Sequence, residues 1–96
     1  MNLRVTARAL ADAKRMKTWW QRHRPDAKDL FEHELDIALD SIVAAPKSGR
    51  VYRGTNLNVE VRRMPKTRND VYYAVTLDDG VVLTVWGAAK RGGPNV

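Results

Sequence analysis

After two helical stripes the spacing of apolar residues changes at Pro46, and that change constrains the fold more than any other feature. Before it, apolar residues recur at helical spacing. Ala9, Ala13, Met16 and Trp20 follow a 4-3-4 pattern that lines one helix face, and Phe31, Leu35, Ala38 and Ile42 repeat it, widened by Ala27 and Leu39. After "PKSG" the period becomes two. "RVYRG" reads as a short strand, and "LNVEVRR" sets Leu57, Val59 and Val61 against Asn58, Glu60 and Arg62. "VYYAVTL" sets Val71, Tyr73, Val75 and Leu77 against Tyr72, Ala74 and Thr76, and "VVLTVWG" puts Trp86 on the side of Val82 and Thr84.

Punctuation residues place the boundaries. "NLRVT" over residues 2–6 forms one strand with Leu3 and Val5 facing the same way, and Thr6 N-caps a helix reaching about His23. Pro25 opens a second helix running to about Ala45, with Asp26 and Asp29 complementing its dipole. Asp78-Asp79-Gly80 marks a tight hairpin, and "PKTRND" is a longer basic connection. The expected order is β-α-α-β-β-β-β, a helical hairpin packed on a small antiparallel sheet, hence α+β. Residues 1–96 make one domain, with 92–96 expected as a flexible tail. Leu30 and Ile37 lie about 100° off the second stripe, and Trp19 sits a quarter turn from the first.

Composition removes several classes of function. The chain has no cysteine, which excludes disulfide frameworks and Cys-based metal sites. "MNLRVTARALADAKRM" interrupts every apolar run with a charge, unlike a signal peptide, and no run is long enough to span a bilayer, so a cytoplasmic location without membrane contact is expected. His23 and His33 fall on different helices, and neither a metal nor another cofactor is expected. Gly92-Gly93-Pro94 follows a strand but opens no helix, so it is no phosphate loop. Glu32, Asp36 and Asp40 share a helix face at i, i+4 spacing and read as a solvated surface.

The net charge of +6 is unevenly spread: residues 1–24 hold seven basic groups against Asp12, residues 25–46 hold Lys28 against six acids, and residues 47–96 hold nine basic groups against four acids. Such a field suits an anionic partner. The candidate surface for it is Arg62, Arg63, Lys66, Arg68, Lys90 and Arg91, drawn from a strand end, the following loop and the tail of the last strand. Guanidinium groups clamp phosphate and stabilise a phosphoryl transition state, but arginine is no base, so nuclease chemistry would need Lys66, Lys90 or a tyrosine to move the proton. The competing reading is a solubilising rim.

The order of motifs resembles the RelE/ParE superfamily of bacterial type II toxins over nearly the whole chain. "WWQRHRPDAKDLFEHELDIALDSIVAAPKSGRVY", "VRRMPKTRNDVYYAV" and "VLTVWGAAKRGGP" carry the likeness. The resemblance implies a toxin neutralised by a cognate antitoxin, whose amphipathic helix or extended tail would dock on Trp19, Leu30 and Ile37, with Lys90 and Arg91 attracting its acidic residues. It also implies one of two activities. ParE-like members poison DNA gyrase without chemistry, and RelE-like members cut mRNA on the ribosome, here with Arg62, Arg63, Lys66 and Arg91 as the candidate catalytic set. After Trp86 there is only "GAAKRGGPNV", with no Tyr, His, Asp or Glu, so a ribonuclease would have to recruit Lys66, Lys90, Tyr72 or Tyr73. That departure tilts the reading towards a non-enzymatic gyrase inhibitor and growth arrest, with the metal-independent mRNA endonuclease as the alternative. A degenerate member that only binds antitoxin or nucleic acid is the second alternative.

Overall fold

The computed structural model describes residues 2–52, 58–76, 79–88 and 92–96. The order of elements is β1 (Asn2–Val5), α1 (Ala7–His23), a 3-10 turn (Pro25–Ala27), α2 (Leu30–Ala44), β2 (Arg50–Tyr52), β3 (Val59–Met64), β4 (Asn69–Val75) and β5 (Asp79–Gly87). Thr6 caps α1 as its sequence position requires: it is extended, and its hydroxyl oxygen accepts from Ala9 N at 3.1 Å. The same hydroxyl donates to Leu83 O at 3.0 Å, which fixes the helix start to β5. The second helix opens later than expected. The Arg24 carbonyl accepts from Ala27, three residues on, so the chain tightens into the 3-10 turn and α2 begins only at Leu30.

The five strands form one sheet in the order β1-β5-β4-β3-β2. Strands β2 to β5 are antiparallel as expected, whereas β1 lies parallel to β5, so the sheet is mixed. The whole helical hairpin and three strands separate those two partners in sequence, which supplies the crossover that parallel pairing needs. The first reversal of the last hairpin also moves. Thr76 and Asp79 close it, with Thr76 N donating to Asp79 O at 2.8 Å and Asp79 N donating to the Thr76 hydroxyl at 3.1 Å, while Gly80 is already paired within β5. Leu57, Leu77 and Asp78, assigned to strands or turn in the sequence, lie outside the described residues.

Both helices pack on one face of the sheet. Ala9, Phe31, Ala38 and Ile42 are buried there against Met64, Val71, Tyr73, Val82 and Val85, with Ala13, Met16, Trp20, Leu35 and Leu39 closing the edges. The alternation of β5 breaks at Leu83. Tyr72 faces Thr84 and Tyr73 faces Val82, so Leu83 has no counterpart and forms a bulge. Trp86 therefore lies with Leu83 on the outer face, not with Val82 as strict alternation required. That outer face holds Val59, Val61 and Tyr72, flanked by Tyr52, Leu83, Trp86 and Val96. Of the segment expected as a flexible tail, Pro94 is buried, and its carbonyl accepts from the Tyr52 hydroxyl at 2.9 Å.

Candidate functional site: a basic cleft along the second helix

The cleft between α2 and β3 exists because Glu34 sits on the helix face that turns inward. The spacing from Phe31 to Glu34 to Ala38 puts a carboxylate on the buried stripe, where it needs partners. It finds them in the β3–β4 turn: Lys66 N donates to it at 2.7 Å, Thr67 N at 2.9 Å and the Thr67 hydroxyl at 2.6 Å. The clamp holds the turn against the helix and leaves the Lys66 side chain in solvent. Further along the seam, Arg62 braces the end of α2. Its guanidinium donates to Ala45 O at 3.0 Å, to the Ser48 hydroxyl at 2.8 Å and, more weakly, to the Tyr73 hydroxyl at 3.4 Å. The Tyr73 hydroxyl in turn donates to Pro46 O at 3.0 Å.

Between these fixed points lies a cleft of ≈ 250 Å³, and its lining is mainly apolar. Leu30, Ile37 and Pro65 supply apolar surface, and Arg62, Arg63 and Lys66 supply positive charge. Ile37 is 56% exposed, a large share for an isoleucine in the middle of a helix. Arg63 stands beside Asp70, its partner across the strands, at 3.5 Å, and its own side chain is mostly in solvent. Arg68 occupies the turn in left-handed backbone geometry (φ 58°), and its carbonyl accepts from Ala88 N at 2.9 Å, which ties the end of β5 to the basic turn.

Five residues singled out for different reasons in the sequence thus share one cleft: Leu30 and Ile37 as leftover apolar positions, and Arg62, Arg63 and Lys66 as cations. Trp19 is elsewhere. It projects from α1, 48% exposed, stacked on His23 with ring centroids 4.7 Å apart. Lys90 and Arg91 lie outside the described residues. Among the described residues no group of three or more metal-ligating side chains converges.

Two acids carry structure that the sequence reading left unassigned. One is Glu34. The other is Asp12, buried on α1, which accepts from the Thr84 hydroxyl, from Val85 N at 3.3 Å and from Arg15 at 3.0 Å. Burial pushes the Asp12 pKa up, but the hydrogen bonds from Thr84, Arg15 and Val85 together with the Arg15 charge outweigh it and hold the carboxyl below its ordinary value. The phenol of Tyr72 moves the other way: burial raises its pKa, helped by the Asp70 charge and by Tyr52, against the pull of Arg50 and Arg63.

A helical hairpin on one face of a five-stranded mixed sheet, with a basic cleft along the helix–sheet seam, defines an α+β protein. Its fold is similar to that of a chain described as the chromosomal ParDE TA system from P. aeruginosa, with a TM-score of 0.73 over 91% of this chain and 95% of that one. The two sequences are 13% identical, so the likeness is one of fold. No protein-family model matches the chain, and no curated protein matches it.

Proposed function

We propose that this chain is the cytoplasmic toxin of a type II toxin–antitoxin pair, and that its antitoxin docks in the α2–β3 cleft. The observation that carries the reading is the cleft itself, set in a fold similar to that of a ParDE chain. An apolar strip with a cationic rim fits an acidic amphipathic segment. Leu30 and Ile37, seven residues apart on one helix face, take the partner's apolar side chains, while Arg63 and Lys66 meet its carboxylates.

The target in this reading is DNA gyrase, bound without chemistry. Support comes from the state of three residues that a nuclease would draw on, the two tyrosines and Arg62. The Tyr73 hydroxyl is engaged with Pro46 and Arg62, the phenolate of Tyr72 is disfavoured by burial, and Arg62 is occupied as a brace. The test is a gyrase supercoiling assay with the free protein. Inhibition at stoichiometric protein is expected, and undisturbed supercoiling sinks the reading. Ribosome-dependent mRNA cleavage is the second reading, favoured by Arg63, Lys66 and Arg68 standing exposed on β3 and the turn after it. Intact mRNA on translating ribosomes in the presence of the protein removes it. Expression without any growth defect would leave a module that only binds antitoxin or nucleic acid.

A further inference from the structure

The outer face of the sheet, opposite the helices, already holds a peptide: the chain's own residues 93–96. Successive carbonyls of that segment are gripped from two different elements. The Tyr52 hydroxyl on β2 donates to Pro94 O at 2.9 Å, and Arg8 on α1 donates to Asn95 O at 2.5 Å. Between them the Pro94 ring is buried, and Val96 packs with the Tyr72, Leu83 and Trp86 cluster, while Asn95 points to solvent. A Cβ at position 93 would run into the Tyr52 ring, so a larger residue there forces the ring or the segment to shift. The face thus reads Gly-Pro-x-apolar. Carbonyls held by side-chain donors give affinity, and an aromatic surface takes proline because its fixed φ leaves little entropy to lose.

The segment is held in a way that allows exchange. Residues 92–96 belong to no strand, Gly92 and Gly93 are exposed, and the Arg8 bond is open to solvent. Gly92 has φ +67°, a conformation at which the chain can turn onto the face or away from it at no side-chain cost. A segment outside the strands, with Gly92, Gly93 and Asn95 exposed, opens more readily than the paired sheet beneath it.

We infer that the outer sheet face is a peptide groove for an extended Gly-Pro-x-apolar segment of a partner protein, and that residues 93–96 occupy it in cis until that segment displaces them. This does not depend on the toxin reading, since it concerns the opposite face of the sheet. A tethered occupant acts at an effective concentration of roughly millimolar, so the intact chain binds a free competitor weakly.

The probe is the pentapeptide Gly-Gly-Pro-Asn-Val, acetylated and amidated, titrated into the intact protein and into Gly93→Ala while the Tyr52, Tyr72 and Trp86 NMR signals are followed. The variant is expected to bind at least tenfold more tightly than the intact chain. Replacing glycine 2 or proline 3 of the peptide by alanine should abolish binding, and adding Tyr52→Phe to the protein should weaken it about tenfold. Pro94→Asp provides a second released form, since it puts a charge where the ring is buried. The inference is overturned if a released variant leaves those aromatic signals unmoved by peptide, or if the alanine peptides bind equally well. It is also overturned if a single-stranded oligonucleotide moves the signals in the peptide's place, or if the released variants dimerise as concentration rises, which would give the groove to a second copy.

Discussion

Asp12 and Glu34 are acids at positions where the helical stripes carry apolar side chains, and each ties its helix to a distant part of the sheet. Removing one partner from a buried charged network leaves the other groups unsatisfied, so Glu34→Ala should lower stability by about 3 kcal/mol in urea unfolding. Asp12 makes a pH-dependent contribution. Its native pKa is lowered, so its stabilisation is complete above the unfolded Asp value of about 3.9 and is lost as pH falls through the lower native value. The urea midpoint should therefore drop as pH is taken from about 5 to below 4, and Asp12→Asn should flatten that drop. The signal for both acids was present in the sequence: a lone carboxylate inside an apolar stripe. What it grips could not be read there, because Thr84 is 72 residues from Asp12 and Thr67 is 33 residues from Glu34.

Helix α2 shows how one element serves two purposes. Its inward stripe is core: Ile42 is fully buried, and Ile42→Ala should cost about 2–5 kcal/mol, read from the unfolding midpoint. Its outer strip is surface. Ile37→Asp should change stability by no more than about 0.5 kcal/mol, yet weaken binding of the proposed antitoxin by roughly thirtyfold or more in calorimetric titration, as for a central apolar anchor. Unchanged affinity would move the antitoxin away from this cleft. The two strips were legible from periodicity alone, since 100° per residue separates Ile37 from the stripe of Phe31, Ala38 and Ile42. The bulge in β5 was not. Leu83 looks like any member of an alternating run, and only pairing with Tyr72 and Tyr73 leaves it without a counterpart and carries Trp86 to the other face.

For the molecule as a whole, positive charge dominates, and the cleft concentrates part of it. An acidic partner approaching a surface with net charge +6 is steered by that field. The association rate of the proposed antitoxin should fall about tenfold between low and high salt in stopped-flow measurements, with a smaller change in dissociation. The two faces of the sheet are also chemically distinct: a helix-covered side bearing the basic cleft, and an aromatic side covered by residues 93–96. The proposed antitoxin cleft and the proposed peptide groove therefore lie on opposite faces of the sheet.

By itself the sequence determined the helical hairpin, its inward faces, the Thr6 cap, the run of later strands and the α+β class. Those features depend on residues within a turn or two of one another, where spacing and capping chemistry act directly. Tertiary structure alone decided that β1 would lie parallel to β5, that Leu30 and Ile37 would share a cleft with Arg62, Arg63 and Lys66, and that the Pro94 carbonyl would be held by the Tyr52 hydroxyl. Each of these joins segments far apart in the chain, and such a meeting is set by how buried groups find partners across the folded molecule rather than by any local pattern.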